Sequence, residues 1–470
     1  MRDLSIDSLR FLSTDQSVAD MAYFAKNVVF DGLERLDLTA PSTPYIAYGG
    51  SYAGAFVAFL RKLYPDVYWG AISSSGVTEA IYDYWQYYEA ARLFLPQDCV
   101  ETTQKLINVV DNILLDQNQQ GHAQEIKDLF GLGNITRNDD FASAVSVGVT
   151  GLQSTNWDPA LNSTSVGVYC QNVSSDTPLY SNSHLESKVR KLLVAAGYGD
   201  ELGTLTTRML NYIGYIGVRV VSRCGGPSQD ECFSNYDSTF YKQDDIKQTW
   251  RSWPWQYCTE WGYLQSGSGV PADQLPLISR LIDLNYSSVV CKEAFNITTK
   301  PNVESINKHG GFNFSYPRLA IIDGEADPWR AATPHAIGLP SRPNTISEPF
   351  LLIEKGVHHW DENGLFANET TEDLPPKSVR DVQNAEVEFV REWIKEWNST
   401  YRPSSLNCEC TLANHLKRRE YARRTLNATY GRGTLMARPS VEAIRQDLRL
   451  HMWYMPKVSW VYCLQFPSIL

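Results

Sequence analysis

The stretch that decides the fold is YIAYGGSYAG, residues 45–54. A short apolar and aromatic run leads into two glycines, a serine and further small residues, which is typical of a strand that turns sharply into a helix. The helix is predicted from about Ala53 to the residue before Pro65, because proline ends it. Small residues suit such a turn, since the helix approaches the strand closely. We therefore predict that Ser51 lies at the turn, with Ala53 where the usual pattern has glycine and Gly54 one residue later.

Two later loops carry acids and histidines. The apolar run LAII leads into a loop with Asp323 and Asp327, and the apolar run FLLI leads into a loop with His358 and His359. A serine hydroxyl becomes a useful nucleophile when a base removes its proton and a third group orients that base. The chain thus offers Ser51 as nucleophile, either aspartate as acid and either histidine as base, and the residue types alone leave both pairs open.

The order serine, acid, histidine is typical of the α/β-hydrolase fold, in which loops at the carboxyl ends of parallel strands bring these side chains together. Taken singly, Gly-Gly-Ser and Asp-Pro are more often ordinary turns, and a histidine pair is more often a surface feature. The prediction depends on all three following short apolar strands in this order. In such a fold the N–H of Tyr52, at the start of the helix, is the expected oxyanion donor.

The sequence pattern changes between the two parts of the predicted parallel sheet. Helical periodicities with aromatic residues dominate there, for example over residues 82–95. We predict an α/β sheet in two parts, residues 1–80 and 313–400, around a large helical insertion of residues 81–312. Residues 401–470 contain eleven Lys and Arg against four Asp and Glu, a net charge of +7, and form a basic tail of unknown role.

Composition excludes several classes of function. The net charge of −11 disfavours a nucleic-acid partner. No run of about 18 apolar residues predicts a membrane span. The nine cysteines lack the spacing with histidines that indicates zinc, so we expect neither a metal nor another cofactor, and disulfides explain the cysteines better.

Asn-X-Ser/Thr sequons are unusually frequent. Nine are present, and chance gives about one per couple of hundred residues at average composition. They predict N-glycosylation and therefore a secreted or extracellular protein, or one of a vacuolar or lysosomal lumen. The asparagines are Asn134, Asn162, Asn172, Asn285, Asn296, Asn313, Asn368, Asn398 and Asn427.

At these motifs the chain resembles the serine peptidase family of prolyl carboxypeptidase, dipeptidyl peptidase II and thymus-specific serine protease, with the fungal secreted members nearest in style. The resemblance covers roughly residues 5–400. It is carried by GGSYAG at 49–54, CTE at 258–260, GEADPW at 324–329 and GVHH at 356–359.

The resemblance implies roles for individual residues. It selects Asp327 as the acid and His358 as the base, and it makes Trp329 a wall of an apolar S1 pocket for proline. Glu260 becomes a candidate for binding a substrate terminus or for ordering a loop. A disulfide between Cys258 and Cys291 is implied as well. The expected substrates are proline-containing peptides. A second copy of the chain, in a homodimer, is a further expected partner.

The chain also departs from the family pattern. Family members begin with a signal peptide and several strands, whereas only about fifty residues precede Ser51 and no apolar leader follows Met1. We expect a truncated start that lacks early strands and the loop that supplies a second oxyanion N–H. Two alternatives to an active prolyl peptidase follow, a catalytically impaired homologue and an esterase on the same fold.

Overall fold

The computed structural model describes residues 2–116, 118, 120–401 and 461–465. The chain divides into a compact unit of residues 1–390 with 459–470 and a second unit of residues 391–458, of which the described part, 391–401, is helical. The strands are β1 (Tyr45–Gly50), β2 (Tyr68–Ser74), β3 (Ile81–Asp83), β4 (Gly262–Leu264), β5 (Leu319–Gly324), β6 (Phe350–Ile353) and β7 (Val461–Gln465). The α-helices are Ile6–Leu9, Thr14–Asn27, Tyr52–Leu63, Glu89–Phe94, Gln97–Leu115, Gln120–Leu129, Asn138–Val145, Ser165–Val173, Glu186–Ala195, Leu202–Arg219, Gln229–Phe233, Ser238–Tyr241, Ser252–Gln256, Leu284–Ser287, Val289–Phe295, Glu304–Asn307 and Lys377–Tyr401.

The central sheet has the order β6-β5-β2-β1-β7. Strands β1, β2, β5 and β6 are parallel, and β7 is antiparallel to β1. Every residue of β2 and β5 is buried, as expected for parallel strands that are covered on both faces. Because the strands are parallel, the loops after β1, β5 and β6 leave the sheet at one edge. The predicted α/β-hydrolase type of sheet is confirmed.

The helix after β1 is held close to the sheet by glycine. A Cβ on Gly54 would lie 2.7 Å from the Cα of Gly76, and one on Gly49 would lie 2.4 Å from the carbonyl oxygen of Ala53. The helix Tyr52–Leu63 is buried from Ala53 to Arg61. The Arg61 guanidinium is itself buried and donates to the carbonyls of Pro317 and Tyr68 at 2.9 Å each. The close approach that the sequence motif requires therefore falls on Gly54, and Ala53 is accommodated.

Between β2 and β5 the described residues are mainly helical, as predicted, with the short parallel pair β3 and β4 as the exception. The predicted helix over residues 82–95 is only partly correct. Residues 81–83 form β3, Trp85–Tyr88 is a 3₁₀ helix, and the α-helix begins at Glu89. The pairing of Ile81 with Gly262 and of Asp83 with Leu264 overrides the local helical pattern, because the partner strand lies far away in the sequence.

Three disulfides cross-link the helical part. They join Cys99 to Cys170, Cys224 to Cys232 and Cys258 to Cys291, the last being the pair that the family resemblance implies. Among the described residues, no helix combines the length and the apolar character that crossing a membrane requires. Apart from Tyr401 and β7, the predicted tail lies outside the described residues, and so does Asn427.

Candidate active site

Ser51 lies in the turn between β1 and the helix Tyr52–Leu63. Its backbone has φ 57° and ψ −124°, a conformation that a residue with a side chain rarely adopts and that costs on the order of 1–3 kcal/mol. The turn is held by a 2.9 Å hydrogen bond from the Ser51 N–H to the carbonyl of Ser74 at the end of β2. The strained turn places the hydroxyl at the carboxyl edge of the sheet, where the loops after β5 and β6 also arrive.

His358 and Asp327 meet the hydroxyl there. The Nε2 atom of His358 lies 3.0 Å from the Oγ atom of Ser51, and its Nδ1 atom lies 2.8 Å from Oδ2 of Asp327. Both residues are buried, since His358 is 6% exposed and Asp327 is 2% exposed. A carboxylate can only accept, so Asp327 holds the proton on Nδ1 and leaves Nε2 free to accept from the serine. The other oxygen of Asp327 accepts from the N–H of Trp329 at 2.9 Å.

The competing acid, Asp323, lies within β5, and the competing base, His359, directly follows His358. Asp323 binds Nδ1 of His335 at 2.6 Å, and that imidazole stacks on Phe350 with 3.6 Å between ring centroids. The Nδ1 atom of His359 lies 3.6 Å from Oε2 of Glu362, so the second imidazole has an acidic neighbour of its own. The sequence reasoning missed His335, because no strand or motif next to it marks it as a partner of an aspartate.

Tyr52 opens the helix after the serine. Its N–H belongs to the first turn, where backbone donors have no acceptor inside the helix and the helix dipole is positive. Its ring packs edge-on against Trp261 and Trp253, with centroids 5.3 and 5.7 Å away. Burial raises the pKa of the Tyr52 phenol, which remains protonated. The side chain thus anchors the turn, and the backbone N–H belongs to the first residue of the helix.

Trp329 stands in an aromatic box beside the Asp327 loop. Its ring stacks on Tyr84 at 5.3 Å and meets Tyr87 and Tyr263 edge-on at 5.5 and 5.1 Å. The Tyr84 hydroxyl is fully buried and donates to the carbonyl of Pro328 at 2.9 Å. Tyr84 directly follows β3, Tyr87 lies in the 3₁₀ helix Trp85–Tyr88, and Tyr263 lies in β4. The sequence had predicted a helix for the first two and no particular element for the third.

Glu260 forms hydrogen bonds to the start of a helix. One of its oxygens accepts from the N–H and the hydroxyl of Thr14 at 3.0 and 3.1 Å, so it caps the helix Thr14–Asn27. The indole of Trp261 donates to the same hydroxyl at 3.1 Å. Burial raises the pKa of the Glu260 carboxyl. Of the two roles predicted for Glu260, these contacts favour the ordering of a loop.

The sequon asparagines differ in accessibility. Asn172 is half-buried, and its Nδ2 atom, where a glycan would be attached, donates to the carbonyl of Val168 at 2.8 Å. Asn398 is half-buried too. The exposed ones, which remain predicted glycosylation sites, are Asn134, Asn162, Asn285, Asn296, Asn313 and Asn368.

A parallel sheet with a strained serine turn, followed by acid and histidine loops, defines the α/β-hydrolase class. A family model described as serine carboxypeptidase S28 matches residues 1–374. The chain therefore belongs to the serine carboxypeptidase S28 family, and the resemblance predicted from the sequence is confirmed.

Individual relatives agree with the family assignment. The chain is 52% identical over 396 residues to a probable extracellular serine carboxypeptidase of Arthroderma benhamiae, covering 84% of this chain and 55% of the relative. It is 27% identical to the serine protease vicPb of Bipolaris victoriae, covering 84% of this chain and 73% of that protein. The human thymus-specific serine protease is 23% identical over 83% of this chain and 70% of its own length. The chain thus spans little more than half the length of the first of these relatives.

Proposed function

We propose that this chain is a serine-type peptidase in which Ser51 is the nucleophile, His358 the general base and Asp327 the residue that orients the base. The observation that carries the proposal is the continuous hydrogen-bonded path from the Asp327 carboxylate through the imidazole to the serine hydroxyl. The strained backbone of Ser51 supports it further, because strain of this kind is retained where function requires it.

The proposed reaction has two stages, acylation of Ser51 and hydrolysis of the acyl-enzyme. The Ser51 oxygen attacks the scissile carbonyl while its proton passes to Nε2 of His358, and the same proton is then donated to the departing amine, leaving an acyl-enzyme. Water attacks that ester with His358 again as base, and the serine is released with the acid product. The N–H of Tyr52 donates to the oxygen that becomes negative in each tetrahedral intermediate.

We assign the aromatic box to the residue on the acyl side of the cleaved bond, with proline as the residue that it favours. A flat apolar wall formed by Trp329 and the rings around it buries a pyrrolidine ring, which has little conformational freedom to lose. The family description and the names of the relatives support cleavage of peptides. The action is that of an exopeptidase.

Secretion belongs to the same proposal. Three disulfides stabilise the described helical part, which is typical of an oxidising compartment. The six exposed sequon asparagines and the extracellular location named for the Arthroderma relative support it.

The test compares three substrates on the wild-type chain: a chromogenic prolyl peptide, its alanyl analogue and a simple ester. We expect the prolyl peptide to be cleaved with the highest kcat/KM, and Ser51→Ala to abolish this cleavage. Ser305→Ala, which removes a hydroxyl that bonds only locally to Asn302, is the matched control and keeps the wild-type rate. Hydrolysis of the ester alone would show that the chain is an esterase and not a peptidase. Cleavage of the prolyl peptide by Ser51→Ala would exclude Ser51 as the nucleophile.

A further inference from the structure

One short segment outside the sheet binds the loops of both the base and the acid. Residues 153–157, at the end of the 3₁₀ helix Val149–Ser154 and just after it, are named here the clamp segment. Three indole N–H groups join it to the two loops. They belong to Trp157 of the clamp segment itself, to Trp360 of the His358 loop and to Trp329 of the Asp327 loop.

The contact with the base loop is reciprocal. The indole of Trp157 donates to the carbonyl of Trp360 at 2.8 Å, and the indole of Trp360 donates to the carbonyl of Thr155 at 3.0 Å. Trp157 is only 8% exposed, so its bond is shielded from water. Both the main chain and the side chain of Trp360 are thereby fixed, two residues beyond His358.

The contact with the acid loop passes through an amide. The Trp329 indole, two residues beyond Asp327, lies 3.0 Å from Oε1 of Gln153. An indole N–H is a donor only, so the atom that faces it must be the amide oxygen, and this fixes the orientation of the Gln153 side chain. The Tyr87 hydroxyl lies 2.7 Å from the same oxygen and donates a second hydrogen bond to it.

The clamp segment is itself held in place. Val149 and Leu152 anchor its helix in the core at 2% and 6% exposure. Beyond the helix, the Asn156 N–H donates to Oδ1 of Asn162 at 3.0 Å, and the Ser163 N–H donates to the carbonyl of Ser154 at 3.0 Å. A segment closed on itself in this way gives the two loops a fixed support.

We propose that the clamp segment is a positioning device for the chemical step, with Trp157 and Trp360 as positioning residues for His358 and Gln153 as the positioning residue for the Asp327–Trp329 loop. This rests on the proposed function of Ser51, His358 and Asp327. The physical reason is that proton transfer requires hydrogen-bond distance, and a displacement of about 1 Å at such a site costs up to about a hundredfold in rate.

The test uses Trp157→Phe, Trp360→Phe and the double variant. Phenylalanine keeps an aromatic ring and removes the indole N–H. Trp250→Phe is the matched control, because the Trp250 indole donates locally to Gln248 at 3.1 Å and contacts neither loop. We measure kcat and KM on the prolyl peptide, the rate of covalent labelling by a fluorophosphonate, and the midpoint of thermal unfolding.

We expect each of the two single variants to lower kcat and the labelling rate about three- to tenfold, the fold-change that one net hydrogen bond represents. KM stays within about twofold of the wild type, and the unfolding midpoints match that of Trp250→Phe. The double variant loses less than the product of the two single losses, because both bonds hold the same residue.

Other outcomes contradict the proposal. Unchanged kcat, or a rise in KM alone, would show that the segment does not position the catalytic loops. Hydrogen exchange of the amides in residues 356–361 supplies a readout that needs no activity. If the wild type were neither active nor labelled, the proposed function would fail, and unchanged exchange in Trp157→Phe would separately exclude the clamp.

Discussion

Asp327 and His358 lie 31 residues apart in the sequence, on the loops after β5 and β6, and share a hydrogen bond of 2.8 Å between Oδ2 and Nδ1. Four residues before Asp327, Asp323 is equally buried but binds His335 instead. The two acids therefore differ in their histidine partner and not in their burial, and this difference separates their expected roles.

The first prediction compares these two acids. Asp327→Asn should lower kcat by about 10⁴, because an amide can donate to Nδ1 and then stabilises the wrong tautomer of the base. Asp323→Asn should keep kcat within about tenfold and lower the unfolding midpoint, since it alters a buried pair away from the serine. Steady-state kinetics and thermal unfolding of both variants check this, and loss of activity in Asp323→Asn alone would exchange the two roles.

The second prediction concerns the aromatic box. Trp329→Leu should lower kcat/KM for the prolyl peptide about ten- to a hundredfold, which corresponds to the loss of about 1.5–3 kcal/mol of apolar burial by the substrate. The rate of fluorophosphonate labelling should fall only about three- to tenfold, because a small reagent does not need the box and only the indole bond to Gln153 is lost. An equal loss for the prolyl and alanyl peptides would show that the box does not select proline.

The third prediction concerns the close approach of Gly54 to Gly76. Gly54→Ala places a Cβ 2.7 Å from the Gly76 backbone and should destabilise the fold by about 1–3 kcal/mol, the usual cost of overpacking. Gly203→Ala is the control, because that helical glycine is exposed, has open space around it and should gain stability on substitution. Thermal unfolding compares the two, and a Gly54→Ala variant as stable as the wild type would contradict the packing.

A fourth prediction follows from a cluster of four polar residues near the serine turn, Tyr48, Ser74, Asp361 and Glu386. The Tyr48 hydroxyl lies 2.8 Å from Oδ2 of Asp361 and 3.1 Å from Oε1 of Glu386. Ser74 donates to the other Asp361 oxygen at 2.7 Å. One hydroxyl proton cannot satisfy two carboxylates, so one carboxyl carries a proton. Burial, and then the charge of the other carboxyl group, raises the pKa of Glu386.

Two more carboxyl groups, one within this cluster and one beside it, have raised pKa values. Burial is also the main reason why the pKa of Asp361 is raised, and the charge of Asp323 raises it further. Glu362 is partly exposed, with its Oε2 3.6 Å from Nδ1 of His359, and burial followed by the Asp361 charge raises the pKa of its carboxyl. These neighbours are mostly acidic, so they oppose ionisation of the cluster.

The sign of the pH effect follows from these directions. A carboxyl whose pKa is higher in the folded than in the unfolded chain contributes stability that is fully present below the ordinary carboxyl pKa of about 4. That contribution is lost as the pH rises through the raised value. The wild type should therefore unfold at a lower temperature at pH 8 than at pH 5.

Glu386→Gln mimics the protonated acid, so it should match the wild type at pH 5 and exceed it at pH 8. The exposed Glu388 on the same helix provides the control, and Glu388→Gln should leave the pH dependence unchanged. Equal pH dependence of the unfolding midpoint in Glu386→Gln and the wild type would show that Glu386 does not cause the loss of stability at high pH.

The sequence predicts the sheet and its serine turn because their signals are local. GGSYAG and the apolar runs before Asp323 and His358 are each a continuous stretch of fewer than about ten residues. The pairing of Asp323 with His335 and the contacts of Gln153 depend on where separate loops meet, and no local pattern reports that. The error in the predicted helix over 82–95, at its beginning, has the same cause, because β3 forms by pairing with β4.

The family resemblance supplied what the residue types left open. The residue types alone offered two acids and two bases, and only the likeness of the Asp-Pro-Trp motif and of the histidine pair to the family favoured Asp327 and His358. The structure brings that pair to Ser51. The clamp segment had no signal of this kind, since tryptophans in a helical region usually belong to a core.

The most direct measurement is peptide mapping of the wild-type chain after reaction with a fluorophosphonate. We predict a single adduct on Ser51, which is lost in Ser51→Ala and in His358→Ala. An adduct on another serine, or equal labelling after removal of the imidazole, would contradict it.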